Sequence, residues 1–178
     1  MLRLFAAVEI PAEAGEDLTP RLRGLPGARW RPLEALHVTL SFFGDLREDV
    51  AADLDAELSR IQGRPFELAL KGVGAFGDPH QSQTIWAGLA DSEPLRTLAG
   101  SCEAAGVRAG LKREARAYRP HVTLAYLRGA EQERVAAWLQ RHGDLASPPF
   151  RVTWFGLWSS VLHPDGSRYT LEREYPLQ

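Results

Sequence analysis

One repeat constrains this chain more than any other feature. ALHVTLSFFG (35–44) and RPHVTLAYLR (119–128) share the tetrapeptide HVTL, offset by 84 residues from His37 to His121. In a chain rich in Leu, Val and Ala, four shared residues alone carry little weight. The surroundings repeat as well. Phe66 and Phe150 each follow their histidine by 29 positions, and each is preceded by a proline, Pro65 or Pro149. From each HVTL the predicted elements run strand, helix, strand, strand, with a further helix in front. A period this long is that of half-domains, not of a solenoid.

Apolar periodicity fills in the elements. Strands are predicted at 2–10, 35–44, 65–73, 82–90, 118–127, 150–162 and 167–175. Helices are predicted at 12–25, flawed by Pro20, and at 47–63, 92–106 and 131–143. In the second helix Val50, Leu54, Leu58 and Ile61 form one stripe. The expected fold class is α+β: residues 1–178 as a single domain of two pseudo-symmetric lobes, each an antiparallel β-sheet with helices outside and a central cleft between. His37 and His121 should face each other across that cleft. A 44% hydrophobic, 25% charged composition supplies a packed core. A net charge of −2 argues against a generally basic, nucleic-acid-coating surface. The single cysteine, Cys102, excludes an internal disulfide and a cysteine zinc cluster, and its helical setting predicts a buried thiol. The first residues turn acidic too early for a signal peptide, and no apolar run is long enough to span a bilayer. The expectation is a cytoplasmic monomer.

Side chains alternate along a strand, so His37 and Thr39 share one face while Val38 and Leu40 take the other. Duplication then brings two imidazoles and two hydroxyls, from Thr39 and Thr123, to one concave surface. Two histidines flanking a reacting group suit proton-in, proton-out chemistry, because an imidazole changes charge near neutral pH. Threonine hydroxyls can donate to phosphoryl oxygens. A cyclic phosphodiester fits this apparatus: one histidine activates water, the other protonates the leaving oxygen. The spacing alone leaves open which is which. Neither motif has a nearby carboxylate or an H-x-x-x-H spacing, so no metal is expected.

The wider pattern is specific. It comprises Arg3-x-Phe5, Trp30, HVTLSFFG, TIWAGL (84–89), YRPHVTL and the closing LWSSVLHPDGSRYTLEREYPL. Over nearly its whole length the chain resembles the two-histidine phosphoesterase superfamily. Within it, the chain is most similar to the RNA 2′,3′-cyclic phosphodiesterases, historically called 2′-5′ RNA ligases. The resemblance implies opening of a terminal 2′,3′-cyclic phosphate on RNA, or of a cyclic nucleotide, to a 2′-phosphate. It implies His37 as proton donor, His121 as acceptor, Thr39 and Thr123 as phosphate ligands, and no metal or nucleotide cofactor. It also allows reversible 2′-5′ ligation. One position departs: many relatives carry arginine where this chain has Tyr126. Arg119, two residues before His121, is the expected replacement, with Arg128 in reserve.

Other polar and aromatic residues have weaker claims. Phe42, Tyr118 and Tyr126 are candidates to stack a terminal base, although Phe42 reads more simply as core. Trp86, Trp138, Trp154 and Trp158 read as core or lobe-interface residues. His80, His142 and His163 sit in turn or helix-end contexts that suit surface roles. Residues 108–128 hold Arg108, Lys112, Arg113, Arg116, Arg119 and Arg128 against Glu114 alone, which reads equally as a solvated edge or an RNA-backbone track. The alternative function is an RNA-end binding module with little turnover.

Overall fold

The computed structural model describes residues 1–178. Its strands are β1 (Leu2–Glu9), β2 (Arg29–Trp30), β3 (His37–Leu46), β4 (Phe66–Leu68), β5 (Leu70–Gly77), β6 (Ser82–Leu89), β7 (Val122–Arg128), β8 (Phe150–Val152), β9 (Trp154–Val161) and β10 (Arg168–Pro176). The helices are α1 (Ala12–Leu18), α2 (Glu48–Ser59), α3 (Glu93–Arg108) and α4 (Gln132–His142). Helix α1 stops well short of residue 25 and passes into a 3-10 turn at Thr19–Arg21, because Pro20 has no N–H to continue the ladder. Helix α3 begins where Ser92 Oγ accepts the Leu95 N–H at 3.2 Å, with Pro94 in the first turn. Strand β2, two residues long, carries no alternation that the sequence could reveal.

All strand pairs are antiparallel. The main sheet runs β10-β9-β1-β3-β7-β6-β5, β2 lies against β7, and β4-β8 forms a separate ribbon. Strands β3 and β7 meet at one ladder pair, Val38↔Val122. The ribbon is centred on Glu67↔Arg151. Both pairs are separated by the 84-residue offset, so an approximate two-fold axis runs through each. Strands β5 and β9, also related by that offset, cross over: β5 pairs with β6 of the second repeat and β9 with β1 of the first. Read outward from the centre, β3-β1-β9 mirrors β7-β6-β5, and β10 extends one side. The two sheet halves therefore form one continuous sheet, and each borrows its outer strand from the other repeat.

One face of this sheet is core. Leu4, Ala6, Val8, Val38, Leu40, Ile85, Ala87, Val122, Leu124, Phe155 and Leu157 are buried there together with Leu54, Leu58, Leu95, Cys102 and Trp138 from the helices. Burial pushes the Cys102 thiol far up, which leaves it inert at neutral pH. The other face carries His37, Thr39, His121 and Thr123, all half-buried.

Two bulges at equivalent places shape that open face. Thr39 pairs with Ala7 but Ser41 with Ala6, leaving Leu40 extra; Thr123 pairs with Trp86 but Ala125 with Ile85, leaving Leu124 extra. Each extra residue resets the alternation. Leu40 and Ser41 are both buried, as are Leu124 and Ala125, and the next residues, Phe42 and Tyr126, return to the histidine side. Phe42 is 56% exposed, so it is not the core residue the sequence suggests. A hydrophobic run predicts core from composition, and the bulge reverses it.

Candidate active site

Continuing the Val38↔Val122 register by one residue each way sets His37 opposite Thr123 and Thr39 opposite His121. Two His–Thr pairs thus share one face around the axis. The imidazoles are held alike. His37 Nδ1 lies 2.9 Å from the Ala35 carbonyl oxygen, and His121 Nδ1 lies 2.8 Å from that of Arg119, the equivalent residue. A carbonyl only accepts, so each Nδ1 carries its proton and donates. Each Nε2 is left to take or give a proton.

Their surroundings differ. His37 packs 4.9 Å from the Phe5 ring and 5.1 Å, edge-on, from Tyr169. It lines a cavity of about 470 Å³ with Phe5, Arg31, Trp158, Ser167 and Tyr169. Burial holds its pKa down to about 4; the Ala35 carbonyl opposes this, and Arg31 and His121 lower it further. His121 stands edge-on to Phe76 at 4.9 Å, with Trp86 at 6.3 Å. No group of three or more His, Cys, Asp or Glu side chains is arranged to hold a metal ion.

The remaining candidates separate. Arg119 is exposed on the His121 side, its Cζ 4.6 Å from the Phe76 ring centre. Arg128 pairs with Ser82 seven residues beyond His121, roughly 20 Å along the strand, too far to reach an anion at the axis. Tyr118 does not face the site: it packs on the core and its hydroxyl donates to the Thr39 carbonyl at 2.8 Å, bracing the strand from behind. Tyr126 does face the site, under the Arg31 guanidinium at 5.9 Å. Phe42 does so as well, with Arg3 at 5.3 Å.

Two cations of the 108–128 run are paired. Arg108 pairs with Glu57 of α2 at 2.7 Å, and Arg116 pairs with Glu114. Trp138 is core, donating from Nε1 to the Arg23 carbonyl at 3.0 Å, but Trp86, Trp154 and Trp158 are half-buried on the histidine face. Alternation with Ile85, Ala87, Leu157 and Ser159 could have placed Trp86 and Trp158 there. His80 is exposed, His142 is half-buried against Trp138, and His163 belongs to the β9–β10 turn. Arg31, Phe5, Phe76 and Tyr169 had no assigned role in the sequence, although Phe5 and Tyr169 belong to its recognised pattern. Arg31 lies in an irregular stretch with no local signal.

Residues 10–163 match the 2′-5′ RNA ligase superfamily. The chain is 29% identical over 171 residues to the RNA 2′,3′-cyclic phosphodiesterase of Archaeoglobus fulgidus, covering 94% of this chain and 96% of that one. It is 30% identical over 179 residues to the Escherichia coli RNA 2′,3′-cyclic phosphodiesterase, covering 98% and 96%. The crystal structure of E. coli LigT complexed with 3′-AMP superposes with a TM-score of 0.80 at 26% identity, over 99% of this chain and 98% of that one. No helix is long and apolar enough to cross a membrane. Motifs, sheet and relatives agree: the chain belongs to the 2′-5′ RNA ligase superfamily.

Proposed function

We propose that the protein is an RNA 2′,3′-cyclic phosphodiesterase, opening terminal cyclic phosphates to 2′-phosphomonoesters with His37 and His121 as the acid–base pair. The observation that carries this reading is the meeting of the two HVTL segments at Val38 and Val122. It gathers two imidazoles with free Nε2 atoms, and two threonines, on one open face. One ring takes a proton from water while the water oxygen attacks phosphorus. The bond from phosphorus to O3′ breaks, and the other ring gives O3′ its proton. Thr39 and Thr123 donate to the non-bridging oxygens as their charge redistributes. Neither a metal nor a nucleotide cofactor takes part.

Family resemblance assigns His37 the donor role. Alone in the free protein His37 is neutral, since burial, Arg31 and His121 keep its pKa low. A phosphodiester anion opposes the Arg31 and His121 contributions, so His37 binds a proton more readily as substrate arrives. The active unit is a monomer, because both histidines come from one chain. The reading also treats residues 1–178 as one domain of two repeats, supported by the equivalent residues paired at both crossing points.

The test is direct: incubate the protein with a 2′,3′-cyclic nucleotide and assay for the 2′-phosphomonoester. The wild type turns over with EDTA present; folded His37→Ala and His121→Ala do not. Binding without any product at high enzyme concentration would establish instead a module that holds RNA ends.

A further inference from the structure

Arg31 is 8% exposed yet forms no ion pair. Its Nη2 donates to the Ser167 carbonyl at 2.7 Å. A guanidinium has five N–H donors in a rigid fork, and a buried cation ordinarily has an anionic partner. Glu9, Glu34 and Asp165 also line its cavity, but none of them pairs with it. Its Cζ lies 5.9 Å from the Tyr126 ring centre and 5.5 Å from that of Tyr169. The β9–β10 turn closes on it: a Cβ at Gly166, whose φ is +114°, would lie 2.6 Å from Nη1.

The backbone explains how a residue from before the first motif reaches the second. Strands β3 and β7 share one ladder pair, and β2 lies along β7, pairing Arg29 with Tyr126 and Trp30 with Ala125. The Arg31 N–H then donates to the Leu124 carbonyl at 2.7 Å, beside Thr123. Its side chain lines the same cavity as His37. Arg31 therefore runs from the backbone of the second motif into the cavity that His37 lines, against Tyr126, where the family resemblance implies arginine.

We propose that Arg31 is the phosphate-binding cation of this site, with Tyr126 supporting it at the position where the family resemblance implies arginine. The anion it takes is a phosphoryl group, diester or monoester, and it supplies the partner the buried guanidinium lacks. Arg119 and Arg128 are not needed for this task. The inference rests on the proposed phosphodiesterase reading for its substrate, but its binding test does not depend on turnover.

The experiment measures inorganic phosphate and 2′-AMP binding by calorimetry, alongside 2′,3′-cyclic nucleotide hydrolysis. Arg31→Gln should weaken phosphate binding at least tenfold and lower kcat about 10²-fold. Adding Tyr126→Arg to Arg31→Gln should restore most of both, since the new side chain starts from the ring that Arg31 now covers. If Arg31→Gln does not fold, Arg31→Lys serves: it keeps a charge without the fork and should bind phosphate severalfold more weakly. Unchanged phosphate affinity in a folded Arg31 variant overturns the inference. So does a wild type that binds no phosphate, or a folded double variant as weak as the single one. A wild type that binds phosphate through Arg31 but hydrolyses nothing sinks the phosphodiesterase reading and leaves Arg31 as the anion ligand.

Discussion

The two halves of the site begin from the same four residues and end in different environments. Each HVTL supplies a histidine tied through Nδ1 to the carbonyl two residues back and a threonine on the same face. Around His37 the β9–β10 hairpin closes, with Tyr169, Ser167 and Gly166 packed over Arg31. Around His121 stand Phe76 and Trp86, with Arg119 exposed outside them. Duplication sets where the two His–Thr pairs stand. The last strand, β10, has no counterpart in the other half and makes the halves unequal, because it adds a wall to one side only. That wall helps to bury His37, and burial is the largest cause of its lowered pKa.

The comparison can be broken most severely at the histidines. Replacing either by alanine should cut kcat by about 10²–10⁴-fold if both move protons. A loss confined to one variant would mean that only one half reacts. Removing the hydroxyl with Thr39→Val or Thr123→Val should cost about 10²-fold, each with its paired histidine intact. A deficit in KM alone would reduce the threonines to ground-state ligands.

The electrostatic difference is testable by proton NMR of the imidazole Cε1–H. His37 should titrate near 4 in the free protein, and its pKa should rise when phosphate is added. A His37 resonance titrating at its ordinary value would show that its burial does not depress the pKa. Stability carries the same signal. Between pH 4 and 6.5 the unfolded chain protonates His37 and the folded chain does not, so stability rises with pH across that window. By linkage the group costs the fold on the order of 3 kcal/mol once pH falls to the lower value. Urea melts of wild type and His37→Gln should converge as pH rises through the window; parallel curves would contradict the lowered pKa. The smallest effect belongs to Phe42, exposed on the open face. Phe42→Ala should raise KM a few-fold for an RNA oligonucleotide while leaving a cyclic mononucleotide unaffected.

The His–Thr pairs were legible because they lie in strands, where a two-residue period reports a shared face before any coordinates exist. The same rule misplaced Phe42, since a bulge at Leu40 breaks the period inside the motif's own strand. Tyr118 looked like a stacking ring from its position beside His121, but the chain reaches β7 from the core side. The charge run 108–128 looked continuous in one dimension. In three, Arg108 turns to Glu57 on a neighbouring helix and Arg128 ends far along the strand.

The amino-acid order by itself determined the repeat, the antiparallel α+β architecture and the four polar side chains on the motif strands. All of these follow from periodicities carried by neighbouring residues. The exchange of β5 and β9, the closure of the β9–β10 turn and the meeting of Arg31 with Tyr126 and Tyr169 belong to the tertiary structure alone. They join segments as far apart as residues 31 and 169, whose contact depends on how the whole sheet curves and pairs, and no local pattern records that.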